Sequence, residues 1–258
     1  MRGREIKETI KSGGRVFGSL IESTCNAKQM NWFIKTGIDF VFIDNEHNPL
    51  DRNNTSYACS LFARAGVAPL VRIPRPDIYL ATMAVDGGAH GIMVPYVETV
   101  EEVYQVVSAV KYRPLKGKGL KEAISSGKFP SDTSRDYIQK LNEDGFVVIM
   151  IESAEGNANL DNILNVPGID AIVIGPNDLS VSLGIPDMYE HPLFTEAVDS
   201  IMKKALNAGV GFGIHLNSPT LHKHWMDRGE NFILYSSDTY GAYEYIKSGI
   251  EGLKKQEF

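Results

Sequence analysis

Cysteine is nearly missing from this chain, with only Cys25 and Cys59 in 258 residues. Two thiols cannot make the disulfide framework of a small secreted domain, so a reducing cytoplasm is expected. No run approaches the ~20 consecutive apolar residues of a membrane span. The opening residues Met1 to Glu8 carry charges where a signal peptide would be apolar. A surplus of positive charge is missing too. Lysine and arginine total 26 against 32 aspartates and glutamates, a formal charge of −6 with no basic stripe, so no nucleic-acid partner is expected. No Gly-x-Gly-x-x-Gly turn follows the first apolar run, which argues against a dinucleotide-binding doubly wound sheet.

What the chain does contain is a rhythm. Eight short apolar runs read as strands: Val16–Ile21, Phe40–Asp44, Pro69–Arg72, His90–Pro95, Val147–Ile151, Ala171–Ile174, Gly211–His215 and Phe232–Tyr235. Runs that are apolar without alternation suit parallel strands buried on both faces. Helical patterns lie between them, over 26–35, 53–65, 78–86, 157–165, 196–207 and 240–254, several stopped by glycine. Thr99 and Glu102 stand at capping-box spacing before a further helix. Only 112–134, rich in Lys, Gly, Ser and Pro, breaks the rhythm and reads as a long functional or mobile loop. Strands alternating with helices over this length predict a single (β/α)8 TIM barrel, with its active face at the C-terminal strand ends.

Charged residues collect at that face. Glu152 follows the fifth strand directly, and Asp178 lies just beyond the sixth. Two carboxylates at neighbouring strand ends repel unless something pairs with them. A hard divalent cation between them is one solution; helix N-caps or solvated strand-end charges are the other. Asp44, Glu46 and His47 follow the second strand, and Arg72 ends the third. Each has a structural reading alone, His47 as a cap and Arg72 as an ion-pair partner of Asp44 or Glu46. Their convergence on one barrel mouth favours a site.

The segments Phe42-Ile-Asp-Asn-Glu-His47, Pro69-Leu-Val-Arg72, Gly91-Ile-Met-Val-Pro95, Ile151-Glu152 and Ile174-Gly-Pro-Asn-Asp-Leu-Ser180 together resemble the HpcH/HpaI aldolase family. The resemblance implies a metal-dependent aldolase or lyase that joins or separates pyruvate enolate and an aldehyde. It implies that Glu152 and Asp178 bind Mg²⁺, Mn²⁺ or Co²⁺, that His47 is the acid/base residue, and that Arg72 stabilises enolate charge. Asp86 matches the carboxylate that makes the family's histidine more basic. Gly175, Asn177 and Asp178 would meet the keto-acid carboxylate, and a homo-oligomer, dimer or hexamer, is implied. A decarboxylase or another enzyme using the same metal enolate is the alternative, as is a catalytically weak barrel that binds keto acids.

A Schiff-base aldolase needs a lysine inside the barrel, and none of the eight runs contains one. The chain departs from the family at three places. Met150 stands where many members have glutamine, on the same inward face as Glu152. Lys118-Gly-Leu-Lys121 replaces an Arg-Gly-x-Gly pattern, and Arg75 replaces a tryptophan found in some aldolases. His215 ends the seventh strand, where it either reaches the pocket or, as the favoured reading, caps a helix or sits in the core. His222 and His224, two apart on a helical stretch, point to different faces and are not expected to bind metal.

Overall fold

Side-chain alternation along the apolar runs decides which residues fill the centre and which face outward. In the computed structural model, which describes residues 1–23 and 26–255, the runs form eight strands. They are β1 (Val16–Ile21), β2 (Phe40–Asp44), β3 (Ala68–Arg72), β4 (Gly91–Val94), β5 (Phe146–Ile151), β6 (Ala171–Ile174), β7 (Gly211–Leu216) and β8 (Phe232–Ser237). Each pairs in parallel with its neighbours in the chain, and β8 closes on β1. The expected (β/α)8 barrel is the fold observed.

One alternate set of strand residues, including Leu20, Phe42, Leu70, Val148, Met150 and Val173, packs inside the barrel. The other, including Ile43, Val71, Ile92, Ile149, Ile172 and Phe212, packs under the helices. Burial on both faces is why the runs are continuously apolar. Towards the N-terminal end, Phe40 and Phe146 stack on Phe232 with centroids 4.4 and 5.6 Å away. Gly18 makes room for this stack, because a Cβ there would fall within the Phe40 ring.

The surrounding helices are α1 (Gly3–Lys11), α2 (Ala27–Lys35), α3 (Arg52–Arg64), α4 (Ile78–Asp86), α5 (Val100–Lys111), α6 (Gly117–Ser126) and α7 (Asp132–Leu141). After β5 come α8 (Ala154–Ala158), α9 (Leu160–Leu164), α10 (Pro176–Ser182), α11 (Pro192–Asn207), α12 (Pro219–Met226) and α13 (Asp238–Lys254). Thr99 and Glu102 form the expected capping box at the start of α5. Three local expectations change. Residues 112–134 are not an irregular loop: α6 lies within them and α7 begins there. Gly127 ends α6 in the left-handed conformation, and the Ser131 hydroxyl caps α7. The helix expected over 157–165 is two single turns meeting at Asn159. The short α10, begun by Pro176 at its first position, was not foreseen. α13 buries none of its residues and exposes Tyr243, Tyr245, Ile246 and Leu253. Among the described residues no helix is long and apolar enough to cross a membrane.

Candidate active site

The parity that fills the barrel also aims polar groups at its mouth. The inward set on β2 runs Phe40, Phe42, Asp44, and on β3 it runs Ala68, Leu70, Arg72. The β2–β3 register then sets Asp44 beside Arg72. Arg72 Nε donates to Asp44 Oδ1 at 2.8 Å and lies 3.2 Å from Glu46 Oε2. Asp44 also accepts from the Glu46 backbone N–H at 3.0 Å and from Asn48 Nδ2 at 2.6 Å. Burial pushes the Asp44 carboxyl up, but the hydrogen bond and charge of Arg72 outweigh it and hold the group below the usual range. Burial likewise lowers Arg72, and Asp44 with Glu46 more than restores it. Both charges persist in a dry place because they are paired.

With Nε committed to Asp44 and Glu46, Arg72 also lines the cavity at the mouth. The cavity there measures about 400 Å³ and is also lined by Met150, Gly175, Asn177, Asp178 and His215. A larger cavity of about 610 Å³ lies outside the barrel, in the groove between α3 and α4. Its lining includes Asn45, just past β2, and Asp86 at the end of α4, but not Asp44, Glu46, Arg72, Glu152 or Asp178.

Glu152 continues the inward parity of β5 and is 8% exposed. Its Oε1 accepts from the Tyr96 backbone N–H at 2.7 Å. Burial pushes its pKa up to about 7; the Tyr96 N–H opposes this, and the charges of Asp178 and Glu46 add to it. Gly175 closes the end of β6 over this carboxylate, since a Cβ there would lie 2.5 Å from Glu152 Oε2 and 3.3 Å from Met150 Cε. Asp178 stands exposed in the first turn of α10. This donor set suits a hard divalent cation: oxygen ligands only, and a buried carboxyl driven towards protonation that a cation would reverse. Among the described residues no group of three or more His, Cys, Asp or Glu side chains makes a complete cage. A cation held here would take its other ligands from substrate and water, which is the habit of Mg²⁺.

The remaining expected residues are distributed unevenly. His47 lies at the mouth with an exposed ring, its Nε2 3.5 Å from Glu46 Oε1. The Asn177 amide is held by Asp187 Oδ1 at 2.9 Å, so its side chain is already engaged. Asp86 is not brought to the site within this chain. α4 runs back down from the mouth, so its last residue lies at the N-terminal end of the barrel, where Asp86 accepts from Arg113 Nη1 at 2.6 Å. Lys118 pairs with Glu122 on α6 and Arg75 with Asp77, both at 3.6 Å on the surface. His222 is buried against Glu230, and His224 is exposed beside Trp225.

Sequence reasoning missed one residue and placed the other second to a core or cap role. Tyr96, just past β4, takes φ +55, an uncommon conformation for a bulky residue. Its phenol faces Glu46, and the nearness of that carboxylate, then burial, push its pKa up to about 12. His215 proves to line the mouth cavity. Its signal was the parity of β7, where Gly211, Gly213 and His215 alternate with the helix-facing Phe212, Ile214 and Leu216.

Comparison with known proteins places the chain in a family. Residues 22–243 match the family described as HpcH/HpaI aldolase/citrate lyase. A 2-keto-3-deoxy-L-rhamnonate aldolase of Salmonella gallinarum is 30% identical over 96% of this chain and 92% of its own length. A hydroxypyruvate/pyruvate aldolase of Deinococcus radiodurans is 33% identical over 79% of this chain and 73% of its own. The crystal structure of an HpcH/HpaI aldolase from Desulfitobacterium hafniense superposes with a TM-score of 0.84 at 28% identity, covering 97% of both chains. With barrel and relatives in agreement, this chain belongs to the HpcH/HpaI aldolase/citrate lyase family and is a carbon–carbon lyase of the aldolase kind.

Proposed function

We propose that the enzyme cleaves and forms the bond between C3 and C4 of a 4-hydroxy-2-keto acid, with pyruvate and an aldehyde as the separate halves, and that it depends on a divalent metal. The observation that carries this reading is the buried Glu152 carboxylate, fixed by Tyr96 and flanked by Asp178, beside the Arg72 guanidinium. Glu152 and Asp178 would hold the cation, which when bound supplies Lewis-acid polarisation of the keto group.

The chain's own residues supply the rest. The first turn of α10 offers its unused backbone N–H groups to the keto-acid carboxylate. Arg72, braced by Asp44 and Glu46, sets positive charge where the enolate oxygen develops. In the cleavage direction His47 takes the proton from the C4 hydroxyl. The C3–C4 electron pair moves to C3, the aldehyde departs, and C3 then receives a proton to give pyruvate. Synthesis is the reverse. In the test, pyruvate and a panel of aldehydes are incubated with Mg²⁺, Mn²⁺ or Co²⁺, and new keto acids are identified by mass. Product should form with metal and vanish with EDTA. Borohydride trapping of a covalent pyruvate adduct on the protein would overturn the metal-dependent reading.

A further inference from the structure

Across the mouth from Glu152, the ends of β7, β8 and β1 make a second polar wall. His215 enters it on the inward parity of β7. Its Nε2 lies 3.2 Å from the carbonyl oxygen of Ser236. A carbonyl only accepts, so Nε2 carries the hydrogen and Nδ1 keeps the lone pair. Ser236 presents that carbonyl from a left-handed backbone, φ +56. Such a conformation in a non-glycine residue persists only where the surroundings fix it. Burial pushes the His215 pKa down to about 4, and the charge of Arg72 works in the same direction, so the ring is neutral near pH 7.

Nδ1 has no protein partner among the described residues. His215 borders two adjoining cavities of about 400 Å³ each, shared with Asn217 and Tyr240. Farther along the wall, the Glu22 carboxylate is fixed by the Ser237 hydroxyl at 2.7 Å and by the Thr239 hydroxyl.

We propose that His215 determines the aldehyde specificity of this enzyme, its Nδ1 accepting a hydrogen bond from a hydroxyl group on the aldehyde half of the substrate. The proposal rests on the aldol reading above. An aldehyde without hydroxyls leaves Nδ1 desolvated and unpaired, which is how polar sites reject apolar analogues. An aldehyde bearing a carboxylate meets a neutral acceptor and then Glu22, both repelling an anion. Arg72, the one cationic side chain lining the mouth cavity among the described residues, serves the keto-acid half.

The test starts with the wild-type protein, Mg²⁺ and pyruvate in deuterated water. Exchange of the methyl protons, followed by NMR without aldehyde, reports on the aldol reading alone. kcat/KM for addition to glyceraldehyde, propanal and succinic semialdehyde is then measured for wild type, His215→Leu and His215→Asn. The wild type should prefer glyceraldehyde to propanal by at least about tenfold, the worth of one well-made hydrogen bond, and should use succinic semialdehyde least. Dividing the wild-type ratio by the variant ratio cancels the intrinsic reactivity of the aldehydes. His215→Leu should lose most of the preference. His215→Asn, whose Oδ1 falls near the place of Nδ1, should keep part of it. Exchange without any wild-type preference for the hydroxyaldehyde overturns the proposal and leaves the aldol reading standing, whether or not the leucine variant folds. A preference unchanged in His215→Leu overturns it as well. Absence of exchange removes both.

Discussion

The proposed function gives Arg72 two tasks that lysine cannot combine. Its Nε holds Asp44 at 2.8 Å and lies 3.2 Å from Glu46, while the residue also lines the cavity. Lysine keeps the charge but ends in one compact ammonium without the planar fork. Asp44 is fully buried, and an unpaired buried carboxylate costs several kcal/mol. In Arg72→Lys the ammonium therefore stays with Asp44, and the enolate oxygen loses its support. Removing one such donor typically lowers kcat by about 10²- to 10³-fold. Folding should suffer far less, by roughly 1 kcal/mol for a poorer hydrogen bond, or about 2–4 °C in Tm for a chain of this size. Arg72→Met separates the tasks, because it leaves the carboxylates without a counter-charge and should cost about 3–5 kcal/mol. The assays are steady-state kinetics and calorimetric melting of both variants with metal present. Near-normal kcat in Arg72→Lys, together with a large fall in Tm in Arg72→Met, would make Arg72 a structural ion-pair partner and refute the reasoning.

Glu152, with its pKa pushed up from an ordinary 4.5 to about 7, stabilises the metal-free fold only while protonated. That contribution is present below pH ~4.5 and is lost as pH rises through about 7, about 3 kcal/mol in all at 1.36 kcal/mol per pH unit. The EDTA-treated wild type should therefore lose Tm between pH 5 and 8 relative to Glu152→Gln, and parallel profiles for the two proteins would exclude an elevated Glu152. Met150→Gln should tighten pyruvate binding about tenfold or more with the same metal. Glutamine has nearly the volume of methionine and adds hydrogen bonds to a charged ligand worth about 1.5–3 kcal/mol; an unchanged or weaker Kd by calorimetry would mean the pocket is shaped for another ligand.

How much of this was legible in sequence depends on the range of the interaction. The barrel was, because burial on both faces writes itself into continuous apolar runs such as Val147–Ile151. Helices α6 and α7 were not. Gly117, Gly119, Ser125 and Ser126 are weak helix formers, and their helix is secured by the left-handed Gly127 at its end. The pairing of Asp44 with Arg72 was readable as an option, and the β2–β3 register decides it. Asp86 was legible only as a matched residue. A matched residue gives chemistry but not position, and the direction of α4 sends this carboxylate to the far end of the barrel from His47. For His215 the pocket was the less favoured reading, although the parity rule that placed Met150 inward applies equally to β7 and supports it.

Tyr96 was beyond sequence because its importance lies in the backbone. Left-handed φ costs a non-glycine residue roughly 1–2 kcal/mol, and nothing in Val94-Pro-Tyr-Val97 announces it. The conformation is held by what it connects. The Tyr96 N–H binds the Glu152 carboxylate on β5, and its phenol faces Glu46 beyond β2. A charge-assisted hydrogen bond to a buried carboxylate contributes about 1.5–3 kcal/mol, enough to offset the strain. The end of β4 thus fixes Glu152 and, across Arg72 on the intervening β3, faces Glu46. Relaxing Tyr96 to an extended backbone would release Glu152 first, so the strain and the placement of that carboxylate are one feature of the site.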